Sequence, residues 1–385
     1  MTTKINVLQV IPKLGYGGAE TGCYDIAHFL PENDCRSYIA TSGGELLKFV
    51  KKDKVKIIRL PVHSKNPLFI FFNTIVLSVY ILFYKINIIH ARSRAPAWAC
   101  YFASLLTNRV FVTTFHGTYN FKSNIKKFYN SIMLRAKLTI AGSNFIFNHI
   151  NENYGEYLSK EKKLRVIFRG INIDYYNSKN ISILKQEKLK QEWGVSSNNF
   201  TILLPGRLTY WKGQEKFIES LNILIEDYNT SNFQAIILGA DQGRKVYKKK
   251  LINLVERYNL NKKIKFIPHC REMPLAYSLS DVVVSASIEP EAFGRVSVEA
   301  QSMGKIIVAS DIGGSKETII NKKSGFLYKH DDPRELARIL NIVMQLSQEE
   351  LKSMGNEGRK NITKKYDVET MCQSNLKEYK RLIKN

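Results

Sequence analysis

Between Ser287 and Ala300 the chain places two carboxylates, Glu291 and Glu299, on either side of a Phe293-Gly294-Arg295-Val296 step. A strand-like run, 281–287, leads into a loop containing Pro290, and Phe293-Gly294 opens a helical pattern. The first amides of a helix have no acceptor of their own, so this N-terminus is an anion site. Carboxylates at that offset are poorly placed to act as an acid/base pair on one glycosidic bond. They can instead hold hydroxyls on either side of a bound phosphate, which suits a nucleotide sugar, with Glu291 near the sugar and Glu299 near the ribose. Cations come from elsewhere: the strand 200–207 ends at Gly206-Arg207, and Lys212-Gly213 stands at the next helix. Strand carboxyl ends face the ligand crevice in open α/β sheets, so Arg207 and Lys212 can meet a diphosphate there. The alternative is a solvated surface pair.

Other residues carry weaker signals. The first strand-to-helix turn holds Gly15, Gly17, Gly18 and Glu20, which is not the G-x-G-x-x-G spacing of nicotinamide-binding proteins. Gly17 and Gly18 still allow backbone N–H groups to approach an anion or a sugar, or simply make a tight turn. His116 closes the strand 109–117 and, taken alone, reads as a structural histidine. Arg92 and Arg94, at the end of the strand 86–92, either read an anionic acceptor or solvate a loop. The five cysteines form no CxxC pair, which fits a reducing compartment.

These residues need a frame, and 385 residues suffice for two or three domains. Short β-branched runs alternate with helical patterns throughout, predicting parallel sheets with crossover helices. Strands are expected at 5–11, 36–42, 56–62, 86–92, 109–117, 138–143 and 164–170, and again at 200–207, 233–239, 264–269, 281–287, 305–310 and 325–329. The polar stretch 172–199 reads as a connection with a short helix. The expected fold is therefore α/β, with two Rossmann-like domains, 1–172 and 173–365, whose parallel sheets face a cleft. A terminal helix, 366–385, is expected to pack back on the first domain.

Charge and hydropathy bear on partners. The 58 Lys and Arg exceed the 34 Asp and Glu, giving +24, and part of that excess is compositional, since the chain is rich in Lys, Asn and Ile. The field favours anionic partners: nucleic acid, acidic membrane or phosphorylated substrate. No helix-turn-helix, zinc-finger or RNP pattern supports nucleic acid. The run 67–84 is apolar enough to consider spanning a bilayer, but it leads directly into a strand, so a buried or membrane-grazing helix is expected. Segment 119–137 is read as a helix with Phe121, Ile125, Phe128 and Ile132 beside Lys122, Lys126, Lys127, Arg135 and Lys137, a pattern suited to an anionic membrane surface. The N-terminus lacks a signal-peptide core, so a cytoplasmic protein is expected, peripheral on the inner face of the cytoplasmic membrane.

Taken together, Gly17-Gly18-x-Glu20, His116-Gly117, Gly206-Arg207 with Lys212-Gly213, and Glu291-x-Phe293-Gly294 through Glu299-Ala300 resemble the retaining GT-B glycosyltransferases of family 4 over nearly the whole chain. The resemblance implies metal-independent transfer of a sugar from a nucleotide-sugar donor, UDP- or GDP-linked, with retention of configuration and no cofactor. It implies that Arg207 and Lys212 neutralise the diphosphate, Glu291 holds donor sugar hydroxyls, and Phe293 and Gly294, with Arg295 and Val296 beyond them, supply the helix opening. Glu299 would bind ribose, Gly17, Gly18 and Gly206 would line the donor, and His116 would lie over the reacting sugar. The acceptor is expected to be a glycan or lipid-linked, lipopolysaccharide-type molecule. A sugar-nucleotide epimerase or phosphorylase of similar shape and a basic nucleic-acid- or membrane-binding protein are the competing readings. The chain departs from the family at Phe168-Arg169-Gly170-Ile171-Asn172, where Arg169 and Asn172 replace the usual Asn and Asp.

Overall fold

The β-branched runs pair in parallel, and the helices between them return the chain across each sheet, as the alternation predicts. A computed structural model describes residues 4–158 and 163–384. The chain divides into two compact units, residues 1–170 with 368–385, and residues 171–367.

The first unit runs β1 (Ile5–Val10), α1 (Gly18–Phe29), β2 (Cys35–Thr41), β3 (Val55–Arg59), α2 (Pro67–Phe83), β4 (Ile88–Ala91), α3 (Arg94–Thr107), β5 (Val110–Phe115), α4 (Asn124–Ser131), β6 (Leu138–Ala141), α5 (Asn144–Tyr154) and β7 (Lys163–Val166). Its seven strands lie in the order β3-β2-β1-β4-β5-β6-β7, all parallel. The order reverses direction between β1 and β4, the switch point at which such sheets open a crevice beyond their carboxyl ends. One sheet face is covered by α1 and by the C-terminal helix described below, where Val7, Ile26, Ile88, Val112, Leu138 and Ile140 form a shared core.

The second unit runs α6 (Ile183–Glu192), β8 (Phe200–Pro205), α7 (Gln214–Glu226), β9 (Phe233–Leu238), α8 (Lys245–Arg257), β10 (Ile264–Ile267), α9 (Met273–Ser278), β11 (Val282–Ser285), α10 (Arg295–Ser302), β12 (Ile306–Ser310), β13 (Gly325–Tyr328), α11 (Pro333–Gln345) and α12 (Gln348–Lys365). Its six parallel strands lie in the order β10-β9-β8-β11-β12-β13, with the switch point between β8 and β11. The chain then returns to the first unit as α13 (Val368–Lys384), whose Met371, Cys372, Leu376, Tyr379 and Leu382 enter that unit's core.

Local chemistry sets the element ends. Asn66 caps α2, accepting from the Leu68 amide at 2.9 Å, with Pro67 in the first turn. Ser347 and Glu350 form a capping box at α12.

One expectation is corrected. Segment 119–137 is not one helix: α4 covers eight residues, and Ile132–Leu134 turn as a 3-10 segment. The reason is burial on every side, since Ile132, Met133, Leu134 and Ala136 are all inaccessible, whereas a surface helix needs an outward face. The stretch 172–199 carries the expected short helix, α6, and the Tyr176 carbonyl accepts from Ser302 Oγ at 2.8 Å and from Arg359 Nη1 at 3.0 Å, tying it to the rest of the second unit. Among the described residues no helix is long and apolar enough to cross a membrane.

Candidate functional site

In the second unit the residues of interest follow the carboxyl ends of β8 and β11. Gly206 and Arg207 come directly after β8, and Lys212 ends the short 3-10 turn Tyr210–Lys212. The next residue, Gly213, has φ 70°, and a Cβ there would strike the Ala286 carbonyl, so only glycine lets this turn approach the end of β11. A hydrogen bond from the Ile288 amide to the Trp211 carbonyl, 2.9 Å, joins the two loops.

That approach brings Lys212 to Glu291. Lys212 Nζ lies 2.7 Å from Glu291 Oε1, and Ser287 Oγ donates to the same oxygen at 2.6 Å. Both charged side chains are mostly buried, 13% and 12% exposed. Lys212 Nζ also sits 4.5 Å above the Trp211 ring. Arg207 stands apart: its side chain is exposed and makes no ion pair among the described residues, while its carbonyl accepts from Gln214 Nε2 at 2.9 Å.

The helix opening forms as the sequence suggests. Gly294, at φ 79°, caps α10, and a Cβ there would press into Ser315. Arg295 and Val296 supply first-turn amides with no acceptor inside the helix. The Phe293 ring is buried, packed 5.7 Å from that of Tyr366. Glu299 is buried on the same helix and already bonded through both oxygens: Arg295 Nε donates to Oε1 at 2.5 Å and Tyr277 OH to Oε2 at 2.8 Å. Burial, and then the Glu299 charge, hold the Tyr277 phenol well above its usual range; the same carboxylate raises the pKa of Arg295.

In the first unit a cavity of about 430 Å³ opens beyond β1, β4 and β5, lined in part by Lys13, Glu20, His63, Arg92, His116 and Tyr119. Arg92 is only 4% exposed, and neither its Nε nor its Nη2 finds an acceptor among the described residues. Both ring nitrogens of His116 are likewise buried without a partner. Burial, with Arg169 and Arg92 adding to it, depresses the His116 pKa well below the ordinary histidine value, so the ring is neutral at pH 7.

Arg94 is engaged differently. It donates to Asn130 Oδ1 at 2.8 Å and lies 4.3 Å from the centre of the Tyr119 ring. The two arginines read together from sequence thus separate, one open to the cavity and one tied into a packed network. Gly17 caps α1 and Gly18 begins it, and the Arg169 guanidinium lies where a Gly18 side chain would be. Asn172 makes a turn, its Oδ1 accepting from the amides of Asp174 at 3.1 Å and Tyr175 at 2.8 Å.

Sequence reasoning missed several partners. Ser287 on Glu291 and Tyr277 on Glu299 carry no motif of their own. His90, fully buried between Tyr379 OH at 2.6 Å and Thr114 Oγ1 at 2.7 Å, became visible only with the return of α13.

Two doubly wound parallel sheets, the second with its cation, carboxylate and open-amide cluster at the switch point, define a protein of GT-B architecture. Comparison with known proteins agrees. The family Glycosyl transferases group 1 matches residues 185–361, and Glycosyltransferase Family 4 matches residues 16–175. A solved glycosyltransferase from Rickettsia africae ESF-5 is 36% identical, with a TM-score of 0.91 and 99% of each chain covered. The Anabaena HepE protein solved with UDP is 25% identical, with a TM-score of 0.81, covering 98% of this chain and 100% of that one. An uncharacterized glycosyltransferase of Methanocaldococcus jannaschii is 26% identical over 270 residues, 68% of this chain and, short of two thirds, 63% of that protein. The chain belongs to the group 1 glycosyltransferases, GT-B enzymes of family 4. That membership favours neither the nucleic-acid-binding reading nor the epimerase or phosphorylase reading.

Proposed function

We propose that the protein moves a sugar from a nucleotide-diphosphate sugar, UDP- or GDP-linked, to a glycan or lipid-linked acceptor of the cell envelope, of lipopolysaccharide type. Transfer retains anomeric configuration, requires no metal or other cofactor, and takes place at the inner face of the cytoplasmic membrane. The observation that carries the donor half is the meeting of Lys212, Glu291 and Ser287 beside the open amides of α10. UDP is favoured among nucleotides because HepE was solved with it.

Cleaving the anomeric carbon–oxygen bond puts positive character on that carbon and negative charge on the departing diphosphate. Fixed cations and helix amides aimed at the diphosphate lower that barrier without an acid. Lys212 and Arg207 take this role, with the amides of Phe293, Gly294, Arg295 and Val296 around the phosphates and Gly206, Gly17 and Gly18 giving backbone room. Glu291 orients the sugar hydroxyls, its position fixed by Lys212 and Ser287. Glu299 accepts from the ribose, since a carboxylate with two donors in place keeps lone pairs free. Neutral His116 hydrogen-bonds the transferred sugar without adding positive charge next to a developing oxocarbenium. Arg92, a buried guanidinium with no ion pair among the described residues, reads an anionic group on the acceptor, and Arg94 holds the surrounding loop.

Thermal unfolding in the presence of UDP, GDP, ADP and their sugars tests the reading. UDP or GDP should raise the unfolding temperature, and Glu299→Ala should weaken that nucleotide by roughly 1–3 kcal/mol. A protein that no nucleoside diphosphate stabilises would refute the donor assignment.

A further inference from the structure

Helix α2 is amphipathic in the wrong sense for water. Its 17 residues include no charged side chain, and it turns Asn73 and Thr74 inward, where they bond the carbonyls of Pro61 at 3.2 Å and Ile70 at 2.9 Å. Leu68, Phe71, Val79 and Phe83 point outward instead, 78%, 69%, 61% and 75% exposed. The neighbouring α3 continues the apolar face with Phe102, Leu105 and Leu106. Trp98 links it onward, its ring centre 6.1 Å from that of Phe102 and 5.7 Å from that of Phe128 on α4. Scattered apolar residues on a surface need no explanation, but a continuous face across adjacent helices marks an interaction site.

The surroundings of this face identify its partner. From residue 54 to residue 151 the chain has no Asp or Glu and 13 Lys or Arg. Lys65 and Lys85 flank α2, Arg109 follows α3, and Lys122 and Lys126 accompany α4, all of them exposed. A second copy would bring rims of the same sign together, whereas anionic headgroups neutralise such a rim while acyl chains receive the phenylalanines. Length excludes crossing, so the helix lies in the interface.

We infer that the outer face of α2 and α3 seats the protein on an anionic phospholipid bilayer, with α2 lying along the membrane plane. The inference rests on the peripheral attachment in the proposed function and supplies its contact surface, which the basic segment 119–137 provides only at its edge. It also bears on the acceptor. His63 lines the cavity of the first unit, and Leu68 begins the apolar face five residues later, at most about 17 Å of extended chain away. A lipid-linked acceptor held in headgroup register would then reach Arg92 without leaving the bilayer.

The test is sedimentation of the full chain with vesicles of equimolar phosphatidylcholine and phosphatidylglycerol, against phosphatidylcholine alone. The protein should partition to the anionic vesicles, and Phe71→Glu/Val79→Glu should lower that partition at least about tenfold. Both positions point outward, so the variant should keep its unfolding temperature and its response to UDP. Unchanged partition of the double variant would overturn the assignment. So would a wild-type dimer in sedimentation velocity that the same variant dissociates, with no vesicle binding, which would give the face to a second copy. Vesicle binding without any nucleotide response would instead refute the donor reading and leave the docking face standing.

Discussion

Removing the ammonium of Lys212 leaves a carboxylate without its counter-ion. Glu291 is 12% exposed and would keep Ser287 as its remaining partner. Breaking one side of a buried pair costs about 3–5 kcal/mol; with both side chains keeping slight solvent contact, about 2–3 kcal/mol is expected for Lys212→Met. Replacing Glu291 by Gln as well removes the stranded charge, so Lys212→Met/Glu291→Gln should recover most of the loss. The coupling energy from the double-mutant cycle should then reach about 2 kcal/mol. Urea unfolding followed by tryptophan emission suits the measurement, since Trp211 lies beneath Lys212 and Trp193 belongs to the same unit. Nucleotide binding separates structure from function: the double variant should regain stability without regaining affinity for UDP or turnover. Additive single effects, with coupling under about 0.5 kcal/mol, would show that the pair is not closed in solution and would refute the reasoning. Near-normal turnover of the single variant would remove Lys212 from the diphosphate site.

The first unit gives two further predictions. Arg92→Met should leave stability unchanged or raise it, by up to about 3 kcal/mol, because it replaces an uncompensated buried charge with a side chain of similar reach, while transfer to an anionic acceptor falls; clear destabilisation in urea would make Arg92 a structural residue. His90 and His116 both have pKa values pushed well below 6.5, His90 by burial and then Arg92, so the folded protein stays neutral there while the unfolded chain takes up protons as pH falls. Stability is therefore present above pH 6.5 and lost progressively as pH falls below it, by on the order of 1 kcal/mol per histidine for each pH unit, and His90→Asn should remove one such contribution from the slope of unfolding free energy against pH; an unchanged slope would count against the buried, neutral ring.

Much of the architecture was legible because parallel strands buried on both faces write themselves as short β-branched runs, and the helices between them keep their own period. The loop from Ser287 to Glu299 was legible for a different reason: strand end, loop and helix opening are contiguous, so spacing alone puts amides and carboxylates near one another. Contacts between distant segments were not. The meeting of Lys212 with Glu291 depends on Gly213 fitting against Ala286, which no local pattern encodes. The separate fates of Arg92 and Arg94 depend on Asn130 and Tyr119, far along the chain. Hydropathy marked α2 as apolar but could not say that its polar pair Asn73 and Thr74 faces inward, because orientation is fixed by packing against α3 and by the Pro61 carbonyl that Asn73 meets. Segment 119–137 misled for a related reason: apolar spacing resembles a helical stripe until Ile132–Leu134 are all buried together.

The two units differ in how their charges are balanced, and that difference sets what each step of the proposed reaction must overcome. In the second unit the buried charges are already paired, Lys212 with Glu291 and Arg295 with Glu299, and Arg207 alone of the proposed donor-site cations stands exposed without an ion pair among the described residues. A nucleotide sugar binding there exchanges one set of charged hydrogen bonds for another, so its affinity is a small difference between large terms, tuned by Ser287 and Tyr277 as much as by the cations. In the first unit, among the described residues, Arg92 makes no ion pair and its Nε and Nη2, like both ring nitrogens of His116, have no hydrogen-bond partner. An anionic acceptor entering that cavity breaks no existing Arg92 pair and supplies an acceptor that the guanidinium lacks, so the cost of its binding is its own desolvation and its approach to Glu20 rather than the loss of a pair. Because that cation is buried, the attraction is screened little by salt, whereas attachment of the basic rim beside α2 to a bilayer is screened strongly. Raising ionic strength should therefore release the protein from vesicles well before it weakens recognition of a water-soluble anionic acceptor.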